Sequence, residues 1–305
     1  MKQMKFKDAR FDPGSIAASG DGAYVYHDPR IILAVNVALA TSRPLFVTGA
    51  PGAGKSTLAP DIAAKLNWAC VSTAITSRTQ IDDLVAKFDN VARLNDAQTD
   101  NLKSTRDYLV PGVLWWAFDP TSAAELPAGD DPLKDRDLSG NGVVVLLDEI
   151  DKAEPDLPND LLDPLDNYSI TIAGQQRISS KTDVLVVITS NGERTMPPAF
   201  LRRCVTLELD DEDPEFFTSV ATSHFGPRDG TLYADIANRT IELGRQAQTA
   251  RRRRPSMAEY LDTVRACIAY NERPPNGESA GSALWEAIEE AALRKTRAAR
   301  VDTGE

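Results

Sequence analysis

Cysteine and histidine are scarce in this chain, and their scarcity removes several chemistries at once. The three cysteines, Cys70, Cys204 and Cys267, lie far apart with no C-x-x-C pair, so neither a disulfide framework nor a zinc module is expected. Such usage fits a reducing compartment, and the expected location is cytoplasmic. Two histidines, His27 and His224, leave little room for a His-rich metal site or for Ser-His-Asp catalysis. Long apolar runs are missing too. The longest, Ile31 to Ala40, is interrupted by Asn36 and falls well short of the ~20 residues that a membrane-crossing helix needs. The first residues, MKQMKFKDARFDPG, are charged throughout and lack an apolar core, so no membrane association and no secretory signal are expected. Positive charge is also in deficit. Against 34 basic side chains stand 45 acidic ones, a net charge of -11, which argues against broad attraction to nucleic acid or anionic membrane.

What remains is ordinary globular material. Of the 305 residues, 42% are hydrophobic and 26% charged, enough to bury a sizeable core and to divide into two domains. Short β-rich runs alternate with longer helical patterns. Leu45 to Thr48, Val143 to Leu147, Val184 to Thr189 and Val205 to Leu209 read as strands, the middle two apolar on both faces as buried parallel strands are. That alternation predicts an α/β fold with a doubly wound parallel sheet. Ser56 to Leu66 reads as a helix, and Ile81, Leu84, Val85, Phe88, Val91 and Leu94 fall at helical spacing along one apolar stripe. Ser169 to Ile178 alternates around Ala173-Gly174 and predicts a β-hairpin. Past the acidic linker Asp210 to Pro214 the pattern becomes helical, and Ser256 with Glu259 forms a capping box opening a helix whose apolar face carries Met257, Tyr260, Leu261, Val264 and Ile268. The expected organisation is an N-terminal extension over 1–28, an α/β core over 29–210 and an all-helical lid over 211–305.

Between the first strand and the first core helix stands Gly49-Ala50-Pro51-Gly52-Ala53-Gly54-Lys55-Ser56, followed by Thr57. This is G-x-x-x-x-G-K-[ST] in the strand-to-helix context that gives the pattern meaning. Glycines at 49, 52 and 54 let backbone N–H groups turn inward around an anion, the helix starting near Lys55 presents its positive end, and Lys55 adds a mobile charge. Residues 49–57 are therefore the candidate nucleotide-binding residues, with the Ser56 hydroxyl a candidate ligand for Mg²⁺ between the β- and γ-phosphates. About ninety residues later an apolar strand delivers Asp148 and Glu149 side by side. Asp148 is the candidate metal holder, directly or through water, and Glu149 the candidate base that polarises the attacking water. No N-K-x-D guanine signature occurs, so ATP with Mg²⁺ is the expected pair and hydrolysis the expected reaction.

Taken in order, the phosphate loop, Asp148-Glu149, the strand Val184 to Ser190 ending at Asn191, and Met196-Pro-Pro-Ala-Phe-Leu-Arg-Arg-Cys204 resemble the AAA+ ATPases, and among them most the MoxR-type group. The resemblance spans residues from about 29 to about 268. It implies that Asn191 is the sensor-1 amide orienting the lytic water. It also implies that Arg203 is the arginine finger reaching a neighbouring subunit's site, with Arg202 beside it as the alternative. A guanidinium suits the spread charge of a phosphoryl group in transit. The stretch Leu109 to Phe118 resembles the helix-2 insert of the family, although Trp115, Trp116 and Phe118 read rather as packing. The hairpin at 169–178 stands where the pre-sensor-1 hairpin is expected.

One departure concerns the lid, where the expected sensor-2 arginine is replaced by Pro255-Ser-Met-Ala-Glu259, leaving Arg254 or Arg253 just upstream as substitutes. Tyr24, Tyr26 and His27 are candidates for adenine contact by location alone. The implied assembly is a homo-oligomeric ring, hexameric in preference, that remodels a client or partner protein. A slow nucleotide-gated switch in a multi-protein complex is the alternative. A nucleic-acid-stimulated motor using Arg251 to Arg254 is less favoured.

Overall fold

A computed structural model describes residues 11, 24–26, 28–126, 142–172, 176–209, 213–228, 231–250, 253–275 and 281–294. In chain order the helices are α1 (Pro29–Thr41), α2 (Lys55–Leu66), α3 (Ile81–Val85), α4 (Asn90–Gln98), α5 (Val113–Phe118), α6 (Pro120–Ala124), α7 (Leu157–Asp160), α8 (Leu162–Asn167), α9 (Pro198–Leu201), α10 (Pro214–Phe225), α11 (Leu232–Thr249), α12 (Met257–Tyr270) and α13 (Ala283–Ile288). The strands are β1 (Leu45–Gly49), β2 (Ala69–Ala74), β3 (Ala86–Phe88), β4 (Leu109–Pro111), β5 (Val143–Asp148), β6 (Ser169–Ile172), β7 (Gln176–Ser179), β8 (Val184–Ser190) and β9 (Val205–Leu209). The chain divides into two compact units. One comprises Met1–Ala17, Asp28–Gly49 and Lys55–Glu208; the other comprises Ala18–His27, Ala50–Gly54 and Leu209–Glu305.

The first unit is built on a five-stranded sheet in the order β2-β5-β8-β1-β9. Its pairs β2–β5, β5–β8 and β1–β8 are parallel. All seven residues of β8 and the first five of β5 are buried, as central parallel strands flanked by helices on both faces must be. This order sets β8 between the strand that leads into the phosphate loop and the strand that ends in the acidic pair. Side chains 90 to 140 positions apart thus meet at adjacent carboxyl ends, where open α/β sheets hold their ligands. Helix α1 is capped by Asp28, whose side chain accepts from the Arg30 N–H at 2.8 Å, and Pro29 suits its first turn.

The predicted stripe from Ile81 to Leu94 is not one helix. Leu84 and Val85 are buried in α3, but the chain then leaves the helix to pair β3 with β4 in antiparallel register. It resumes as α4, capped by Asp89 accepting from Ala92 N–H at 2.8 Å. Val91 and Leu94 are 70% and 60% exposed, so a pairing with residues 109–111 overrides the local period. The stretch Leu109 to Phe118 accordingly divides into β4 and the buried helix α5. Trp115, Trp116 and Phe118 pack in the core with Val145, Leu147 and Ile188, and Trp115 Nε1 donates to Ser122 Oγ at 2.8 Å. The predicted hairpin forms as β6 and β7; its Ala173-Gly174 turn lies outside the described residues.

The second unit is helical over its described C-terminal part, with a core of Phe216, Phe217, Tyr233, Ile236, Tyr260, Val264 and Trp285 among others. Helix α12 begins as predicted: the Glu259 carboxylate accepts from the Ser256 N–H at 2.7 Å and from its hydroxyl at 3.0 Å. Within this unit a Cβ on Gly52 would lie 2.5 Å from the Ser256 Cβ, and Gly52 has a φ of +87°, so space and backbone alike demand glycine there. The fold is an α/β P-loop fold with a helical C-terminal region.

Candidate functional site

Strand β1 runs out at Gly49, and positive φ angles at Gly49, Gly52 and Gly54 turn the loop before α2 begins at Lys55. Lys55 is 5% exposed, and its ammonium donates to the Gly49 carbonyl at 2.8 Å. A buried ammonium at the mouth of a glycine-rich loop suits an anion. One residue on, the Ser56 hydroxyl donates to Asp148 Oδ1 at 2.8 Å across 92 positions of sequence. The two candidate metal holders are thereby in one place, a hydroxyl and a carboxylate. Hard oxygen donors of this kind fit Mg²⁺, which takes few protein ligands and fills the rest of its shell from phosphates and water. Among the described residues, no cluster of three or more His, Cys, Asp or Glu side chains could hold a metal alone.

Glu149 follows the strand in the left-handed region, φ 61° and ψ 50°. A non-glycine residue seldom adopts that conformation outside sites the surrounding fold over-determines. Two bonds fix it. Its N–H donates to Thr189 Oγ1 at 2.9 Å, and the same hydroxyl donates to Asp148 Oδ1 at 2.5 Å. At its carboxylate, Asn191 Nδ2 donates to Oε1 at 3.2 Å, and the Lys152 ammonium contacts Oε2. Lys152 foremost, with Asn191, holds the Glu149 carboxyl below the usual carboxylate range against a partial desolvation that would raise it. Glu149 is therefore ionised at neutral pH, as a group that polarises water must be.

The structure thus brings Gly49, Lys55, Ser56, Asp148, Glu149 and Asn191 into connected hydrogen-bonded positions within the first unit. Thr57 follows on the first turn of α2, and Ala50, Pro51, Gly52, Ala53 and Gly54 form the loop, closed by Ala53 N–H to Ala50 O at 3.1 Å. Arg203 has partners of its own: its Nε meets Asp166 Oδ2 at 2.5 Å and its Nη1 donates to the Ala199 carbonyl at 3.1 Å. Arg202 is exposed. In the second unit Arg254 contacts Gln248 and Arg253 lies 3.4 Å from the Glu259 carboxylate. Both arginines line a cavity of about 650 Å³ with Glu259 and Arg294. Of the adenine candidates, the Tyr24 and Tyr26 rings meet edge to face at 4.9 Å, while His27 lies outside the described residues.

Three participants escape a reading by motif. Thr189 stands inside an apolar strand run, where a hydroxyl at the penultimate position was the available signal; Lys152 and Asp151 follow the acidic pair too closely to be told from ordinary helix-start charges.

Residues 44–204 match the AAA domain family, described as its dynein-related subfamily. Over 135 residues the chain is 31% identical to the aerobic cobaltochelatase subunit CobS of a Sinorhizobium species; the aligned part is 42% of this chain and 38% of CobS, so the chain spans well under half of that relative's length. Among solved structures, NtrX from Brucella abortus superposes with a TM-score of 0.50 at 13% identity, covering 92% of this chain and 57% of NtrX. That is a likeness of fold. A RuvB mutant of Thermotoga maritima gives 0.47 at 13% identity, covering 87% of this chain and 69% of that one. Among the described residues no helix is long and apolar enough to cross a membrane. The matched span of 44–204 takes in more than half of the 305 residues and holds the phosphate loop, the acidic pair, Asn191 and Arg203: the chain belongs to the AAA domain family of ATPases.

Proposed function

We propose that the chain binds and hydrolyses ATP as a MoxR-like AAA+ ATPase, cytoplasmic and oligomeric, and that it uses the hydrolysis to remodel a partner protein. The observation that carries the reading is the linked set Ser56–Asp148–Thr189–Glu149–Asn191, three separate sequence segments joined by bonds of 2.5 to 3.2 Å. In this reading the loop N–H groups and Lys55 bind the phosphates, which supplies charge where the transferred group needs it. Ser56 and Asp148 would hold Mg²⁺, which when bound neutralises charge on the β- and γ-phosphates. Glu149 accepts a hydrogen bond from the attacking water and draws off its proton, while Asn191 fixes the carboxylate's orientation.

The partner-remodelling part rests on the likeness to CobS, itself named as a subunit of a larger enzyme. Ring assembly, hexameric in preference, follows from Arg203 serving a neighbour's site: a head-to-tail contact closes into a ring when its rotation permits. A nucleic-acid motor is less supported, because Arg253 and Arg254 are engaged with Glu259 and Gln248. The test is Glu149→Gln. It is expected to retain ATP binding and lose nearly all hydrolysis, measured by phosphate release, and to co-purify with the partner in its ATP-bound form. Full residual turnover would remove Glu149 from the base role and the hydrolytic scheme with it.

A further inference from the structure

Asp151 is an anomaly in the first unit. It sits in the short 3₁₀ turn Ile150–Lys152 directly after Glu149, with only 2% of its surface exposed, although acidic side chains are rarely buried without a cation or a full set of donors. No cation is bonded to it among the described residues. Its Oδ2 instead accepts from two backbone amides, Asn191 N–H and Glu193 N–H, each at 3.0 Å, and its Oδ1 has no hydrogen-bond partner there. A carboxylate buried with one oxygen idle is costly to keep for packing alone.

The two amides it does hold explain its place. Strand β8 ends at Ser190, so the N–H groups that follow leave the sheet. Each of the next three finds a side chain: Asn191 and Glu193 find Asp151, and Gly192, at φ +75°, donates to Ser190 Oγ at 3.0 Å. Arg194 Nη1 then donates to the Ala153 carbonyl at 2.9 Å. The segment after the acidic pair and the segment after β8 are therefore zipped together by side-chain-to-backbone bonds. The central bonds hold the backbone of the residue whose amide orients Glu149.

We propose that Asp151 is a positioning residue for hydrolysis: it clamps the exit of β8 so that the Asn191 side chain stays on the Glu149 carboxylate. The clamp deepens the hydrolytic reading above and rests on it. It acts on orientation and not on the phosphates, so its loss separates turnover from binding. Misplacing a reacting group by about 1 Å costs on the order of a hundredfold in rate.

The experiment is a double-mutant cycle of Asp151→Ala and Asn191→Ala in the full chain, reading kcat for ATP and, separately, the Kd of a non-hydrolysable ATP analogue. Asp151→Ala is expected to lower kcat roughly tenfold to a hundredfold while the Kd stays within about twofold. Asp151→Asn, which keeps an acceptor for both amides, is expected to recover most of the loss. Since Asp151 acts through Asn191, the double variant is expected to be no slower than the slower single one. Additive losses, equal loss of kcat and affinity, or an unchanged kcat each overturn the proposal. Should Asp151→Ala not fold, Asp151→Asn takes its place in the cycle; a neutral acceptor is weaker than a charged one, so a smaller drop that vanishes in the Asn191→Ala background is expected, and an additive or absent one overturns the clamp. A folded wild-type chain that never turns over ATP defeats the hydrolytic reading instead. Amide hydrogen exchange over 191–193 still decides the clamp in that case: it must quicken in the Asp151 variant, and unchanged protection refutes the clamp.

Discussion

Thr189 shows how much one hydroxyl can organise. It is fully buried, its oxygen donates to Asp148 at 2.5 Å and receives the Glu149 N–H at 2.9 Å, so both members of the acidic pair are set by the same atom. Replacing it with valine keeps the β-branched shape, leaves the Glu149 N–H without its acceptor and takes from Asp148 Oδ1 one of its two donors, the Ser56 hydroxyl remaining, which costs about 1–3 kcal/mol. Thr189→Val is expected to lower stability by that amount in denaturant unfolding and to reduce turnover, whereas Thr189→Ser, which retains the hydroxyl, is expected to preserve most of both. A valine variant as stable and active as the wild type would contradict the assignment. Glu149 carries a second expectation. Its partners, Lys152 first, lower its pKa in the folded protein, so the charged form persists as pH falls and any stability from those bonds is present above the unfolded carboxyl value and lost only below it. The pH–kcat profile should therefore show no fall from Glu149 protonation between about pH 8 and pH 5; a limb near pH 6 would show that it is not held as described. At this scale the sequence was legible where chemistry dictates spacing, as at Lys55, Ser56, Asp148 and Glu149. It was silent where a side chain acts through a neighbour on another strand, as Thr189 and Asp151 do.

At the level of elements, the two central strands were readable because burial on both faces leaves an unbroken apolar run. Strand β2 was not, since ACVSTA alternates burial only over its first half. The segment from Ile81 to Leu94 failed for a different reason: local periodicity cannot see that Ala86 to Phe88 pair with Leu109 to Pro111. Substitutions distinguish the two arrangements directly. Leu84→Ala, at a site 1% exposed, is expected to cost about 2–5 kcal/mol. Val91→Ser and Leu94→Ser, on the exposed face of α4, are expected to stay within about 0.5 kcal/mol of wild type. Equal losses at all three positions, by thermal or chemical unfolding, would restore the single continuous stripe. Helix α12 was legible to its first residue because Ser256 and Glu259 satisfy each other locally, a signal that needs nothing beyond three positions of sequence.

For the molecule as a whole, the decisive charge is Arg203. Its ion pair with Asp166 is 41% exposed on both sides, and exposed pairs hold weakly, so the guanidinium can leave Asp166 at little cost, as the proposed finger would have to. Mixing Arg203→Ala with Glu149→Gln protein is expected to restore turnover that neither variant shows alone, since mixed rings contain interfaces with both residues intact. No rescue in a proven ring argues against a finger in trans, and rescue with Arg202→Ala in its place would move the role by one residue. Such a role was only suggested by resemblance, because the site it would serve belongs to a different copy of the chain. Every level of this account rests on a triphosphate lying against the loop at 49–56. Titration calorimetry with ATP and Mg²⁺ tests that most directly. Saturable binding by the wild-type chain, lost or greatly weakened in Lys55→Ala protein of undiminished fold, is the predicted result; no heat of binding in the wild type, or equal affinity in the two, would contradict it.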